Sequence, residues 1–199
     1  MLKIGITGGI GSGKTTVCKV FEVLGIPVFY ADVVAKQIMV TDDILMEGIK
    51  ETFGMESYLP AGVLNNKHLA GIVFSDAIAL EKLNALVHPA VFRAFDRWVA
   101  AVPASCPYTL KEAALLFESG SYKMCDYNIL VTATQSSKIS RVMQRDGVTA
   151  AQVQARMDKQ FSDEQKMELA DFQIRNDESS SLILQVLDLH EQFINSLTK

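Results

Sequence analysis

The chain has 199 residues, 49% of them hydrophobic and 21% charged, with a net charge of −4. These values fit one domain with a buried core and argue against a general electrostatic grip on nucleic acid. Cys18, Cys106 and Cys125 are odd in number and widely spaced, which argues against a disulfide frame, and no apolar run approaches the length of a membrane span, so a cytoplasmic location is expected.

The first predicted strand is "LKIGIT" (2–7), a short apolar, β-branched run broken by glycines. "KTTVCKVFEVLG" then predicts a helix, with Val17, Val20, Phe21 and Leu24 at helical spacing and Gly25 as its end. "IPVFYAD" (26–32) reads as a second strand, with Pro27 tolerable at its start. Residues 33–104 carry helical pattern with polar breaks and no strand pattern. Thr41 is the expected N-cap of "TDDILMEGIKETFG", and Gly54 its stop. Ser75 and Asp76 cap a further helical run, in which Pro89 predicts one helix ending near His88 and another beginning at the proline.

Strands return at 107–117 and 127–134. A helical stretch follows, with two cap signatures, Thr149 with Gln152 and Ser162 with Gln165. Residues 171–176 are a candidate last strand, and "SSSLILQVLDLHEQFINSL" a closing amphipathic helix. Strands alternating with helical segments imply an α/β fold, a parallel sheet with helices on both faces.

Between the first strand and helix stands Gly8-x-x-x-x-Gly13-Lys14-Thr15, a complete phosphate-binding loop in its proper context. Glycines let the backbone bring its N–H groups to phosphate oxygens, and the helix start adds its own N–H groups and positive dipole end. Gly9, Gly11, Ser12, Gly13, Lys14, Thr15 and Thr16 are the expected nucleotide-binding residues. Lys14 is expected on the β- and γ-phosphates and Thr15 on Mg²⁺.

A GTPase switch would need an Asn-Lys-x-Asp signature, and "NKHL" (66–69) has Leu in place of the Asp. A motor ATPase would end a strand in Asp-Glu, whereas "EAALLFES" ends in Glu118 alone. A small kinase fits better. Asp32 follows the second strand at the edge where open α/β sheets place ligands, positioned to take the proton of an attacking hydroxyl or to cap the next helix. Arg141 and Arg145 lie four apart, with Arg156 further on, and read as phosphate-covering groups or as a solvated helix face. His88 before Pro89 reads equally as a packed or capping histidine. The residues leave open a kinase for another small acceptor, such as a nucleoside or nucleotide, and a nucleotide-binding switch.

Taken together, "TGGIGSGKTT" (7–16), "ADVVAK" (31–36), "LNALVHP" (83–89), "LLFESGSYK" (115–123), "RVMQRDGVT" (141–149) and Asn176 after "AD" resemble the dephospho-coenzyme A kinase family nearly end to end. The resemblance implies a three-layer P-loop kinase fold with a five-stranded parallel sheet. Its core would take about 1–32, 105–135 and 168–199, with a helical acceptor-binding insertion at about 33–104 and a helical lid at about 136–167. It implies ATP and Mg²⁺ as cofactors and dephospho-coenzyme A as the acceptor, with no nucleic acid or membrane partner. Asp32 then corresponds to the catalytic base, Lys14 to the phosphate-binding lysine and His88 to an acceptor-site residue. Arg141 and Arg145 correspond to lid arginines, and Asn176 lies in the loop near the adenine. A monomer or weak homo-oligomer is expected. The sequence departs from the family pattern at Tyr30, Ala114 and Glu178.

Overall fold

A computed structural model describes residues 1–177 and 179–196. The expected position of Glu178, and Leu197 in the closing helix, lie outside the described residues. The chain forms two units, residues 1–30 with 102–199, and residues 31–101.

The first unit is built on five parallel strands in the order β2-β3-β1-β4-β5. They are β1 (Leu2–Thr7), β2 (Val28–Tyr30), β3 (Tyr108–Glu112), β4 (Tyr127–Thr132) and β5 (Phe172–Arg175). The central strands are buried on both faces, which is why they read as continuous apolar runs rather than alternating ones. On one face, α1 (Lys14–Val23) and α9 (Leu182–Ser196) pack together and against the sheet. Val17, Cys18 and Phe21 of α1 meet Val186, Leu189 and Phe193 of α9 over Ile4, Ile6, Tyr108 and Ile129. Burying each large side chain here contributes about 1.5–3 kcal/mol. The Tyr108 hydroxyl, deep in this layer, lies 2.6 Å from His190 Nδ1.

Strand ends are shorter than the sequence pattern suggests. β3 stops at Glu112, and Leu116 and Phe117 fold back as buried residues of a turn. That turn covers Gly5 so closely that a Cβ there would come 2.8 Å from Leu116 Cδ2. β4 stops at Thr132 because Thr134 turns to cap α6 (Gln135–Asp146), accepting from Ser137 N–H at 3.2 Å. Both expected capping boxes are present, Thr149 with Gln152 on α7 (Ala150–Met157) and Ser162 with Gln165 on α8 (Asp163–Met167).

The second unit contains α2 (Ala31–Ile38), α3 (Asp43–Phe53), α4 (Asn66–Val73) and α5 (Ala77–Ala101). Asp42, not Thr41, caps α3, accepting from Leu45 N–H at 2.9 Å, while the Thr41 hydroxyl donates back to Gln37 at 3.0 Å. Gly54 ends α3 at φ 91°. The expected break at Pro89 is absent, and α5 runs through it as one helix. Proline there removes the bond to Ala85, but α5 packs on α2, α3 and α4 along its length and buries Ala79, Ala90, Val91 and Phe95. Packing on both sides of the proline outweighs the local cost. No helix among the described residues is long and apolar enough to cross a membrane.

Candidate active site

The phosphate loop connects β1 to α1. Gly11 and Gly13 adopt φ 79° and 96°, in the left-handed region open to glycine. Space excludes a side chain at both. A Cβ on Gly11 would strike the Lys138 carbonyl and Val142, and one on Gly13 would fall on the Asn176 side-chain amide.

The loop carbonyls are held from outside. Asn176 Nδ2 donates to Ser12 O at 2.8 Å. Arg141 donates to Gly11 O at 3.3 Å, to Ser12 O at 3.5 Å and to Asn176 O at 3.0 Å. Turning those carbonyls outward leaves the concave side of the loop to backbone N–H groups, the arrangement that binds anions. Lys14 is buried, and its Nζ donates to Gly8 O at 2.9 Å. Thr15 and Thr16 are exposed at the start of α1, where the first N–H groups of a helix lack intrahelical partners.

One loop N–H is held from outside as well. Ile10 N–H donates to Gln160 Oε1 at 3.0 Å, from the segment between α7 and α8. Beside it, Lys138 and Asp163 form an ion pair at 2.5 Å next to Gly9. A cavity of about 450 Å³ opens here, lined by Gly9, Gln135, Lys138, Gln154, Gln160 and Asp163 among others.

Glu112 ends β3, level with Ile6 of β1 and Tyr30 of β2, and is buried. It is the acid at the end of a strand beside β1. Glu118 lies six residues beyond that end and holds α8 and the residue before its cap instead: its Oε1 accepts from Phe161 N–H at 2.9 Å and lies 3.1 Å from Lys166 Nζ. Burial pushes the Cys18 thiol up, and Glu112 and Glu22 add to the effect, so Cys18 is a core residue rather than a nucleophile. Burial likewise pushes the Tyr30 phenol up, with Cys18, Glu22 and Glu112 contributing, and Tyr30 stays neutral.

A family profile described as dephospho-CoA kinase matches residues 2–181. The chain belongs to the dephospho-CoA kinase family. The dephospho-CoA kinase of Salinibacter ruber is 43% identical over 89% of this chain and 89% of its own. A crystal structure from Thermus thermophilus superposes with a TM-score of 0.82 and 32% identity, covering 100% of this chain and 98% of that one. The dephospho-CoA kinase from Campylobacter jejuni superposes with a TM-score of 0.72 and 25% identity over 98% of both chains.

Within this family member, the structure brings Gly9, Gly11, Ser12, Gly13, Lys14, Arg141 and Asn176 into one cluster. Arg145 is not in it. Its guanidinium makes two bonds to Asp146, at 2.7 and 3.2 Å, and Arg156 adds a third at 2.8 Å. Bonding to Arg145, then to Arg156, holds the Asp146 carboxyl below the usual carboxylate range. In the second unit, Asp32 is exposed in the first turn of α2, inside the helix rather than at its cap. His88 is half-buried on α5 and stacks on Phe92, with ring centroids 6.4 Å apart. Sequence reasoning missed Glu112, whose signal was the strand end, and Gln160 and Lys138, which have no local signal. No group of three or more His, Cys, Asp or Glu among the described residues is placed to hold a metal ion.

Proposed function

We propose that this chain transfers the γ-phosphoryl group of ATP to the 3′-hydroxyl of dephospho-coenzyme A, giving coenzyme A and ADP, the last step of coenzyme A synthesis. The observation that carries the reading is the phosphate loop clamped by Arg141 and Asn176, with Lys14 arched over it, in a member of this family.

Backbone N–H groups of Gly9 and of residues 11–16, together with the Lys14 ammonium, hold the β- and γ-phosphates. Asp32 orients the acceptor hydroxyl and takes its proton. The acceptor oxygen bonds to the γ-phosphorus as the bond to the bridging oxygen of ADP breaks. His88 contacts the acceptor within a binding region at about 33–104. The segment at about 136–167 acts as a lid over the nucleotide held by the remaining core at about 1–32, 105–135 and 168–199. Arg141 and Arg145 supply positive charge as the phosphoryl group moves, and the lid excludes water as a competing acceptor. Asn176 serves the nucleotide through Ser12. The exposed Thr15 hydroxyl and the Glu112 carboxylate are hard oxygen donors that fit Mg²⁺. Thr15 and Glu112 would hold Mg²⁺ there, and its charge would offset the negative charge of the phosphate oxygens. The proposed setting is the cytoplasm, and the proposed assembly a monomer or weak homo-oligomer.

The test is to incubate the protein with Mg-ATP and a panel of dephospho-coenzyme A, nucleosides and nucleoside monophosphates, following ADP and phosphorylated product. Coenzyme A formation in clear excess over every other product is expected. No product from dephospho-coenzyme A would overturn the reading.

A further inference from the structure

The carbonyl clamp on the phosphate loop comes from Arg141 and Asn176. A second hold, on the loop's other end, has no part in the chemistry described so far. Ile10 N–H donates to Gln160 Oε1 at 3.0 Å. Gln160 comes from the short connection between α7 and α8, and such a connection does not fix a long side chain by itself. Its neighbour is fixed instead. Phe161 N–H donates to Glu118 Oε1 at 2.9 Å. The same oxygen lies 3.1 Å from the Nζ of Lys166, which is fully buried in α8. That contact is an ion pair by distance without a well-aligned hydrogen bond. Three residues on from Gln160, Asp163 pairs with Lys138 against Gly9.

We propose that Gln160 is a positioning residue for the phosphate loop and that Glu118 acts through it. Glu118 pins the backbone at Phe161, which sets Gln160, which fixes the direction of the Ile10 peptide and so the entry to the anion-binding turn. The chemistry of the pair suits the task. A loop that receives a polyphosphate tolerates a neutral amide oxygen as its brace, whereas a carboxylate there would repel the ligand. Glu118 keeps its own charge away from the loop by spending it on Lys166. A buried lysine needs that partner, because removing one member of a buried pair leaves the other uncompensated. The proposal rests on the reading of the loop as the ATP site.

The test uses the full chain, with steady-state kinetics and melting temperatures measured with and without Mg-ATP. Gln160→Ala is expected to raise KM for ATP about tenfold, the scale of one lost hydrogen bond at a preorganised site, with KM for the acceptor changed less than about twofold. Gln160→Glu keeps an acceptor for Ile10 N–H, so its melting temperature without nucleotide stays at wild type while KM for ATP rises at least as far. Glu118→Gln alone strands Lys166, so Glu118→Gln/Lys166→Gln is the variant to use. Adding Gln160→Ala to that double variant is expected to raise KM for ATP no further, because the brace is already released. Gln160→Ala with wild-type KM for ATP, or with both KM values raised equally, would overturn the assignment of Gln160. Multiplication of the two effects would overturn the route from Glu118. A wild-type protein whose melting temperature does not respond to Mg-ATP would remove the ATP reading itself, and this proposal with it.

Discussion

The Lys14 ammonium rests 2.9 Å from the carbonyl oxygen of Gly8, the first glycine of its own motif. The side chain is buried, so its charge is held over the loop by the protein itself. Placement in advance is what makes electrostatic stabilisation effective, since nothing has to reorganise during the reaction. Lys14→Ala is therefore expected to lower kcat by about 10²- to 10³-fold while the far-ultraviolet circular dichroism stays native. Retained turnover would remove the loop from the chemistry.

Asp32 stands exposed in the first turn of α2, where a carboxylate also favours the helix dipole. The two roles separate under Asp32→Asn. If Asp32 is the base, its loss is expected to cut kcat by roughly 10²-fold or more. Loss of a surface dipole contact changes stability by less than about 1 kcal/mol. A variant that keeps near-wild-type turnover would leave Asp32 as a helix-start residue only.

Arg145 is committed to Asp146, with Arg156 on the same carboxylate. To serve the phosphoryl group, Arg145 has to leave that partner. Asp146→Asn weakens the competition, and kcat/KM for ATP is expected to rise by up to about fivefold, the value of an exposed ion pair. Arg145→Ala is expected to lower it about tenfold or more. The pH dependence follows from Asp146, whose carboxyl is held low by Arg145 first and Arg156 second. Its folded pKa lies below its unfolded value, so the pairing is intact above the ordinary carboxylate range and is lost as pH falls through the depressed folded value. The effect of Asp146→Asn should thus stay flat from about pH 6 to 8 and shrink only in strong acid.

Glu112 closes β3 beside β1 and is buried. If it helps hold Mg²⁺, Glu112→Gln raises the Mg²⁺ concentration for half-maximal activity about tenfold. KM for the acceptor would stay put. An unchanged Mg²⁺ titration would assign the residue to the fold alone.

Pro89 lies inside a continuous α5 and denies that helix one hydrogen bond. Pro89→Ala restores the bond to Ala85 and is expected to stabilise the protein by about 1 kcal/mol, after the entropy that proline removes from the unfolded chain. A lower melting temperature would show that the proline ring itself is needed in the packing.

Local chemistry was legible in the sequence, and distance was not. The phosphate loop, the Gly54 stop and the capping boxes at Thr149 and Ser162 each lie within a few residues, so spacing alone reveals them. The pattern of β3 extends past its true end because "AALLF" continues an apolar run, and burial under a turn looks the same as burial in a strand. Pro89 predicts a break from its local cost alone, whereas α5 packs on three helices and runs on. Gln160 on Ile10 and Asn176 on Ser12 join residues 150 and 164 positions apart, for which no periodicity exists.

The Asn176 amide occupies the volume that a side chain on Gly13 would need. Those two positions therefore form one lock, with its halves far apart in the sequence. Arg141 and Asn176 both reach the loop from far along the chain, so the carbonyl clamp is complete only once α6 and the residue after β5 are in place. The motif is local in sequence, and its clamp is a product of the fold.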